Sequence, residues 1–384
     1  MVSTKEILRK NISNIPGWRS NRKILVIESD DWGSVRIKDK DAYRALKQKG
    51  LNVDRIHYDS VESLESNEDL ERLFEVLLSI KDSIGNRLKF TPMCIMGNPD
   101  FERIKAADYQ EYFFQPLEDT IKEFPKSDKL LDLWKKGFKQ DIFIPEIHGR
   151  EHINVRRYMN ILQTHEGKEG LRFALEHHSV GPSAFKGIFY PNYLGALHPE
   201  QKKEIQDLHQ HLLEAGNLFE QYLGYSPRAF IAPNAEEPKE LESSLQDIGV
   251  RYLTRSKKRL YPLGDGQFAR EWNFIGRRNE LGQIYLNRNA FFEPVTRGEH
   301  KHINDWVGSC LKDMEIAFRW KKPAVISSHR VNYVGSIDPA NRDKGLRALK
   351  ELLSRALKKW PAIEFMTSAE LGDLIRIEIK GSTE

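Results

Sequence analysis

The sequence predicts an α/β fold, either a (β/α) barrel or a related open α/β sheet with its functional residues along one face. Two observations lead to this prediction. Short apolar runs rich in β-branched residues alternate with amphipathic helical segments, as in a parallel sheet covered by helices. Several runs end directly in acidic residues or histidines, and the carboxyl ends of parallel strands are where such folds collect their chemistry.

The individual elements follow from the spacing of apolar residues. Leu70, Leu73, Phe74 and Leu77 recur at helical spacing, and Gly50 is placed to end the preceding helix. The predicted strands cover residues 24–27, 90–96, 138–147, 227–233, 250–254, 281–292 (one or two strands), 323–328 and 363–366. The predicted helices cover residues 40–50, 68–80, a segment beginning near 153, 200–223, 238–248, 305–320, 342–359 and 368–374.

We expect one domain over residues 1–384, because no linker or internal repeat divides the chain. The regions near 40–135 and 153–220 depart from the alternating pattern and are rich in polar and aromatic residues. We interpret them as elaborations of the frame that shape a cleft.

The composition argues against several classes of protein. There are 60 basic and 56 acidic residues, which gives a net charge of only +4, and the basic residues are dispersed along the chain. Nucleic-acid binding therefore has no special support. Two cysteines do not supply a disulfide framework or a cysteine-ligated zinc site. We see no secretory signal and no apolar run long enough to cross a bilayer. The expectation is a cytoplasmic protein without a membrane span, and its oligomeric state stays open.

Three predicted strand ends carry candidate functional residues: Asp30 with Asp31, His148 with His152, and His329. His148 and His152 are four residues apart, which places both imidazoles on one face if His152 begins a helix. Two imidazoles and one carboxylate suit zinc with an open position for water, although other divalent ions fit the same ligands. The second carboxylate is then free to accept a proton, and His329 can act as a general acid. Taken singly, each feature is also common as a helix cap or a satisfied surface histidine.

The motif set resembles the polysaccharide deacetylases of the NodB-homology type, carbohydrate esterase family four. Residues 28–33 (ESDDWG) match the first motif of that family, and residues 148–152 (HGREH) match the second. Residues 327–329 (SSH) match the late histidine motif. The resemblance implies that Asp30 is the catalytic base, that Asp31, His148 and His152 bind the metal, and that His329 is the acid.

The third motif departs from the family pattern. In residues 224–233 (GYSPRAFIAP), Ile231 stands where the family has an arginine that pairs with the catalytic aspartate. Arg288 or Arg330 can replace that arginine, and the sequence does not choose between them. The family also implies a distorted seven-stranded barrel, a divalent metal, expected to be zinc, and a carbohydrate substrate with N-acetylated or, less favoured, O-acetylated sugars.

Further residues near the strand ends are predicted to contact the substrate. Trp32 and Tyr333 lie within four residues of a predicted catalytic residue, and aromatic rings stack on the apolar faces of sugars. Asn234 follows a predicted strand and is assigned to the same role, together with Arg288 and Arg330.

Two rival functions remain open from the sequence. A glycoside hydrolase on a related barrel would use Asp30 or Asp31 with Glu236 or Glu293. A catalytically silent sugar-binding protein would keep the barrel without turnover, and the missing arginine at Ile231 favours that alternative.

Overall fold

A computed structural model describes residues 4–296 and 303–381. Its strands, in chain order, are β1 (Lys23–Trp32), β2 (Thr91–Ile95), β3 (Gly97–Pro99), β4 (Phe114–Pro116), β5 (Glu146–Gly149), β6 (Ala184–Phe185), β7 (Ile188–Phe189), β8 (Ala229–Phe230), β9 (Tyr252–Thr254), β10 (Lys258–Gly264), β11 (Gln267–Trp272), β12 (Ile284–Leu286), β13 (Ala290–Phe291), β14 (Ala324–His329) and β15 (Ile363–Phe365).

The main sheet is parallel throughout and curls into an open half-barrel. Its hydrogen-bonded path runs β12–β9–β8–β5–β2–β1–β14–β13, and β15 pairs with β1 beside this path. The prediction of an α/β fold with a parallel sheet is confirmed. The prediction of a seven-stranded barrel is wrong, because eight strands lie on the path and its two edge strands, β12 and β13, do not pair within the described residues.

Residues 287–289, which we call the seam segment, connect the two edge strands. Asn287 Nδ2 donates to the carbonyl of Arg255 at 2.8 Å. Asn289 Nδ2 donates to the carbonyl of Pro323 at 2.9 Å, and its Oδ1 accepts from Val325 N at 2.9 Å. These side-chain hydrogen bonds join the seam segment to the end of β9 and the start of β14, and they fix the backbone that carries Arg288.

Helices and shorter hairpins surround the sheet. The α-helices are α1 (Thr4–Ser13), α2 (Lys40–Lys49), α3 (His57–Val61), α4 (Asn67–Ser79), α5 (Phe101–Ala106), α6 (Leu117–Thr120), α7 (Leu130–Lys139), α8 (Val155–Thr164), α9 (Lys168–Glu176), α10 (Ile205–Leu223), α11 (Glu242–Asp247), α12 (Trp306–Arg319), α13 (Pro339–Lys359) and α14 (Ser368–Gly381). Among the described residues, no helix combines the length and apolar character needed to cross a membrane.

Strand β1 separates the interior of the half-barrel from the layer beneath the helices. Ile24 and Val26 belong to a small buried cluster with residues of β9, β12 and β14, whereas Leu25 and Ile27 belong to the larger cluster under the helices. Side chains alternate along a strand. Glu28 therefore continues the interior face above Val26, in the direction of the carboxyl ends of the strands.

Two local predictions differ from the structure. Residues 138–147 were expected to form one strand, but α7 continues to Lys139 and β5 begins only at Glu146. The antiparallel pair β10–β11 was not predicted, although Asp265 and Gly266 at its turn form a strong hairpin signal.

Candidate functional site

The predicted catalytic and metal-binding residues meet at one cavity of about 450 Å³ at the carboxyl ends of the strands. The residues of this set that line it are Asp30, Asp31, His148, His152 and His329. Asp30 and Asp31 come from the end of β1, His148 from β5 and His329 from the end of β14. The parallel arrangement explains the convergence, because the carboxyl ends of parallel strands share one edge.

The backbone at Asp31 brings two consecutive carboxylates to the same cavity. Asp31 has a φ of +76°, in the left-handed region, and the register between β1 and β2 shifts between Ser29 and Trp32. In a regular strand the carboxylates of Asp30 and Asp31 would point to opposite faces. A non-glycine residue in this region costs roughly 1–3 kcal/mol, and such strain clusters at functional sites.

Asp31, His148 and His152 have the geometry of a three-ligand metal site. Asp31 Oδ1 lies 3.4 Å from His148 Nε2 and 3.0 Å from His152 Nε2, and the three ligand atoms lie within 4.8 Å of one another. Two ligands on a tetrahedral zinc ion are about 3.3 Å apart when each bond is about 2.05 Å. The donor set therefore fits zinc.

The two histidines lie in different local structure: His148 is part of β5, and His152 lies between β5 and α8. His148 Nδ1 lies 2.7 Å from the carbonyl of Ile231, a hydrogen bond that leaves Nε2 free to bind a metal. His152 does not begin a helix, because α8 starts at Val155, so the predicted helical face is wrong. Gly149 has a φ of +151°, which favours glycine and allows the turn from β5 towards His152.

The two imidazoles also set the charge state of Asp31. Burial raises the pKa of the Asp31 carboxyl, but His152 and His148 outweigh that effect and hold the pKa well below its usual range. Asp31 therefore presents a carboxylate to any cation bound between the three residues.

Asp30 pairs with Arg288 of the seam segment. Arg288 Nη1 donates to Asp30 Oδ2 at 2.7 Å and Nη2 donates to Oδ1 at 2.5 Å, a bidentate arrangement. Burial raises the pKa of Asp30, but the charge and hydrogen bonds of Arg288 outweigh it and lower the pKa. Of the two arginines considered for this pairing, Arg288 is therefore the one that contacts Asp30, and Asp30 is kept ionised.

His329 pairs with Glu293, which the sequence suggested only as a catalytic carboxylate of a glycoside hydrolase. His329 Nδ1 lies 2.6 Å from Glu293 Oε1, and Asn332 Nδ2 donates to Glu293 Oε2 at 2.7 Å. Burial lowers the pKa of His329, but Glu293 outweighs it and raises the pKa to about 10. His329 Nε2 lies 3.7 Å from Asp30 Oδ2, so both side chains reach the same small volume. The signal for Glu293 was its position directly after a predicted strand.

Among the predicted substrate contacts, Asn234 and Arg288 line the cavity. The prediction is wrong for Trp32 and Tyr333, which are 0% exposed. Their rings stack on each other with centroids 6.4 Å apart. Trp32 Nε1 donates a hydrogen bond to Ser29 Oγ, and the Tyr333 hydroxyl is hydrogen-bonded to Ser328 Oγ. Neither ring is available to a sugar.

Arg330 is also not a substrate contact. It is fully buried, and its Nη1 donates to the carbonyl of Ser34 at 2.6 Å and to Glu65 at 2.8 Å. Arg330 therefore fixes the turn that follows Asp31, and it does not pair with Asp30.

Other cavity residues were missed by the sequence analysis. Arg36 and Tyr58 follow β1, Leu194 comes from the region near 153–220, and Arg255 follows β9. Tyr58 lies edge-on to His329 with ring centroids 5.6 Å apart. Both regions interpreted as elaborations therefore contribute to the cavity wall.

Comparisons with known proteins establish no family. No protein-family model matches the chain, and no curated protein sequence matches it. Similar solved structures include a 4-alpha-glucanotransferase from Thermococcus litoralis, with 11% identity, a TM-score of 0.42 and coverage of 91% of this chain and 40% of that one. A putative polysaccharide deacetylase from Mycobacterium smegmatis has 9% identity, a TM-score of 0.41 and coverage of 94% and 93%.

The peptidoglycan deacetylase PdaC from Bacillus subtilis is a third similar structure, with 10% identity, a TM-score of 0.34 and coverage of 94% of this chain and 96% of that one. The chain spans less than half of the glucanotransferase. At these identities and TM-scores, the matches do not assign a family or an activity to the chain, and its function has to be argued from the site.

Proposed function

We propose that this chain is a metal-dependent hydrolase that removes an acetyl group from an N-acetylated sugar, with an O-acetylated sugar as the less favoured substrate. One observation carries the proposal. A three-ligand set, an arginine-paired carboxylate and a carboxylate-paired histidine line a single cavity.

Asp31, His148 and His152 would hold the metal, and zinc is the ion proposed. A divalent cation in this position supplies Lewis acidity, which acidifies water and polarises a carbonyl group. The hydrogen bond from His148 to the carbonyl of Ile231 orients one ligand in advance.

Asp30 is proposed as the general base. Arg288 keeps its carboxylate ionised and fixes its plane through two hydrogen bonds, so Asp30 can accept a proton from the attacking water. Asp30 and Asp31 then have separate roles, one in proton transfer and one in metal binding.

His329 is proposed as the general acid. Its raised pKa of about 10 keeps it protonated near neutral pH, and Glu293 fixes the ring through Nδ1. Nε2 is then free to give its proton to the sugar nitrogen as the carbon–nitrogen bond breaks. The products are acetate and a free amino sugar. The volume of the cavity lies within the range of small-molecule sites.

The rival functions have weaker support. The glycoside hydrolase reading requires Glu236 or Glu293 to reach the substrate, but neither lines the cavity, and Glu293 is hydrogen-bonded to His329. The silent sugar-binding reading was favoured by the absence of arginine at Ile231. Because Arg288 now pairs with Asp30, that feature no longer favours it.

The test measures bound metal and acetate release on the same preparations. Purified wild type is expected to hold about one divalent ion per chain and to release acetate from N-acetylated sugars, with loss of turnover after chelation. His148→Ala/His152→Ala should lose the metal and the turnover together. Asp30→Asn should keep the metal and lose turnover by roughly 100-fold or more.

A double variant of histidines outside the cavity, His165→Ala/His209→Ala, serves as the control and should keep both properties. Stoichiometric metal in the His148/His152 double variant would contradict the proposed site. Full acetate release by Asp30→Asn would contradict the proposed base, and glycosidic cleavage that survives chelation would favour the glycoside hydrolase.

A further inference from the structure

Glu28 is a fully buried carboxylate on the interior face of the half-barrel. Its exposed fraction is 0%, and it lies two residues before Asp30 on β1. Its Oε1 accepts hydrogen bonds from Thr254 Oγ1 at 2.9 Å and from Ser368 Oγ at 2.6 Å. These hydroxyls belong to β9 and to the first residue of α14, so the orientation of Glu28 is set by elements outside β1.

The other oxygen of Glu28 accepts from Arg288. Arg288 Nε donates to Glu28 Oε2 at 2.6 Å, while its two terminal nitrogens donate to Asp30 and Nη1 also donates to Ser327 Oγ at 3.2 Å. One guanidinium therefore bridges two carboxylates of the same strand. The planar fork of an arginine can satisfy both carboxylates at once, which a lysine ammonium cannot do with the same geometry.

The seam segment fixes the backbone of Arg288 but not its side chain. Hydrogen bonds hold Asn287 and Asn289 to the neighbouring segments of the sheet, whereas the guanidinium of Arg288 extends to Asp30 on β1. Without an acceptor at Nε, the fork would be held only through the groups at its outer end. Glu28 supplies that acceptor from a rigid, buried position.

We propose that Glu28 is a positioning residue that orients the guanidinium of Arg288 and thereby the carboxylate of Asp30. The inference rests on the proposed function in that Asp30 is taken as the base. Glu28 itself does not line the cavity. It acts through Arg288, and a misplacement of about 1 Å at a reacting group can cost roughly 100-fold in rate.

The first test replaces the side chain of Arg288 with free guanidinium. Arg288→Ala leaves a space between two carboxylates, and guanidinium chloride at millimolar concentration should bind there and restore part of the acetate release. In Glu28→Gln/Arg288→Ala, guanidinium should bind and rescue roughly 10-fold less well, because one of its two charged acceptors is gone. Calorimetry measures the binding without any turnover. Equal binding and equal rescue in the two backgrounds would overturn the proposal.

The second test does not depend on the folding of an arginine variant. Glu28→Gln keeps the volume of the side chain and should lower kcat roughly 10-fold, while KM and bound metal stay within about twofold of wild type. Glu242→Gln alters another buried glutamate, whose three polar side-chain partners, Asn279, Tyr285 and Arg259, lie outside the cavity lining, and it should leave kcat unchanged. If Glu28→Gln instead lost bound metal and raised KM together with the fall in kcat, the positioning role would be overturned.

The two proposals fail in distinguishable ways. If wild type released no acetate from any acetylated sugar, the proposed function would fail. The calorimetric difference in guanidinium binding would still show whether Glu28 helps to hold a guanidinium group against Asp30.

Discussion

Asp31 turns its carboxylate into the cavity that Asp30 already faces, although the two residues are adjacent in the chain. The left-handed φ of +76° at Asp31 makes this possible. The same turn determines where the next side chain goes. In a regular strand Trp32 would share the face of Asp30, but it lies instead in the cluster beneath the helices, where its ring contacts Phe90 and Phe143.

Replacing Asp31 should separate the proposed metal binding from the proposed proton transfer. In Asp31→Asn, asparagine tolerates the left-handed conformation as aspartate does, but the negative charge of the carboxylate is lost. Metal affinity should fall by more than the roughly 10- to 100-fold that follows the loss of a residue supporting a ligand. The measurement is a competition titration with a metal-binding dye. Asp30→Asn is the matched control, and an unchanged affinity in Asp31→Asn would contradict its role as ligand.

The pair of His329 and Glu293 should make stability depend on pH. Glu293 raises the pKa of His329 to about 10 against the lowering effect of burial, whereas an unfolded histidine titrates near about 6.5. The folded state therefore holds this proton more tightly. The resulting stabilisation is complete below about pH 6.5 and is lost as the pH rises through about 10.

Urea denaturation of chelator-treated protein between pH 6 and 10 checks this prediction. Wild type should lose stability relative to Glu293→Gln as the pH rises, by an amount on the order of 1–3 kcal/mol. The variant should also lower the pKa of His329 in an NMR titration. A difference in stability that stays constant across the range would show that Glu293 does not hold the proton on His329.

Glu146 should destabilise the fold at alkaline pH. Burial raises the pKa of its carboxyl to about 8, although two backbone N–H groups, from Arg228 and Ala229, favour the charged form. Its contribution to stability is complete below the pKa of an unfolded glutamate and is lost as the pH rises through about 8. Glu146→Gln keeps an acceptor for those groups and removes the ionisation.

The expected result is that Glu146→Gln gains about 2–4 kcal/mol relative to wild type between pH 5 and pH 9. Urea unfolding at the two pH values gives the comparison. An equal difference at both would mean that the carboxyl is already ionised at pH 5 in the folded protein.

Trp32 should behave as a core residue. Its indole packs against Phe90 and Phe143 at centroid distances of 6.0 and 5.2 Å. Trp32→Ala should cost about 3–5 kcal/mol of unfolding free energy. Trp32→Phe should cost less and leave KM for an acetylated sugar unchanged, which steady-state kinetics can check. A large rise in KM for Trp32→Phe at near-native stability would restore the stacking role.

The sequence predicted those parts of the site that depend on local patterns. Asp30, His148 and His329 were placed at strand ends because each follows an apolar run, and all three line the cavity. The turn at Asp31 was not predictable, since aspartate is compatible with an ordinary strand. Trp32 was assigned to the cleft because it is close in sequence to Asp30, and closeness in sequence does not show which way a side chain points after such a turn.

Pairings between distant segments were the harder part. Arg288 and Arg330 were equivalent candidates in the sequence, and only the position of the seam segment brings Arg288 to Asp30. The predicted seven-stranded barrel was wrong for a related reason. Strands as short as β8 and β13, with two residues each, carry almost no periodic signal. By contrast, the β10–β11 hairpin does carry a local sequence signal, the Asp265–Gly266 pair at its turn.

The arrangement at the seam segment has a consequence for how related chains are recognised. A sequence search that demands an arginine shortly before Pro233 would reject this chain, because Ile231 stands there. Yet the guanidinium of Arg288, which lies 57 positions after Ile231 in the chain, contacts the carboxylate of Asp30. What defines such a site is a constellation in space, and a search by the relative positions of Asp30, Arg288 and His329 would retain proteins that linear motifs discard.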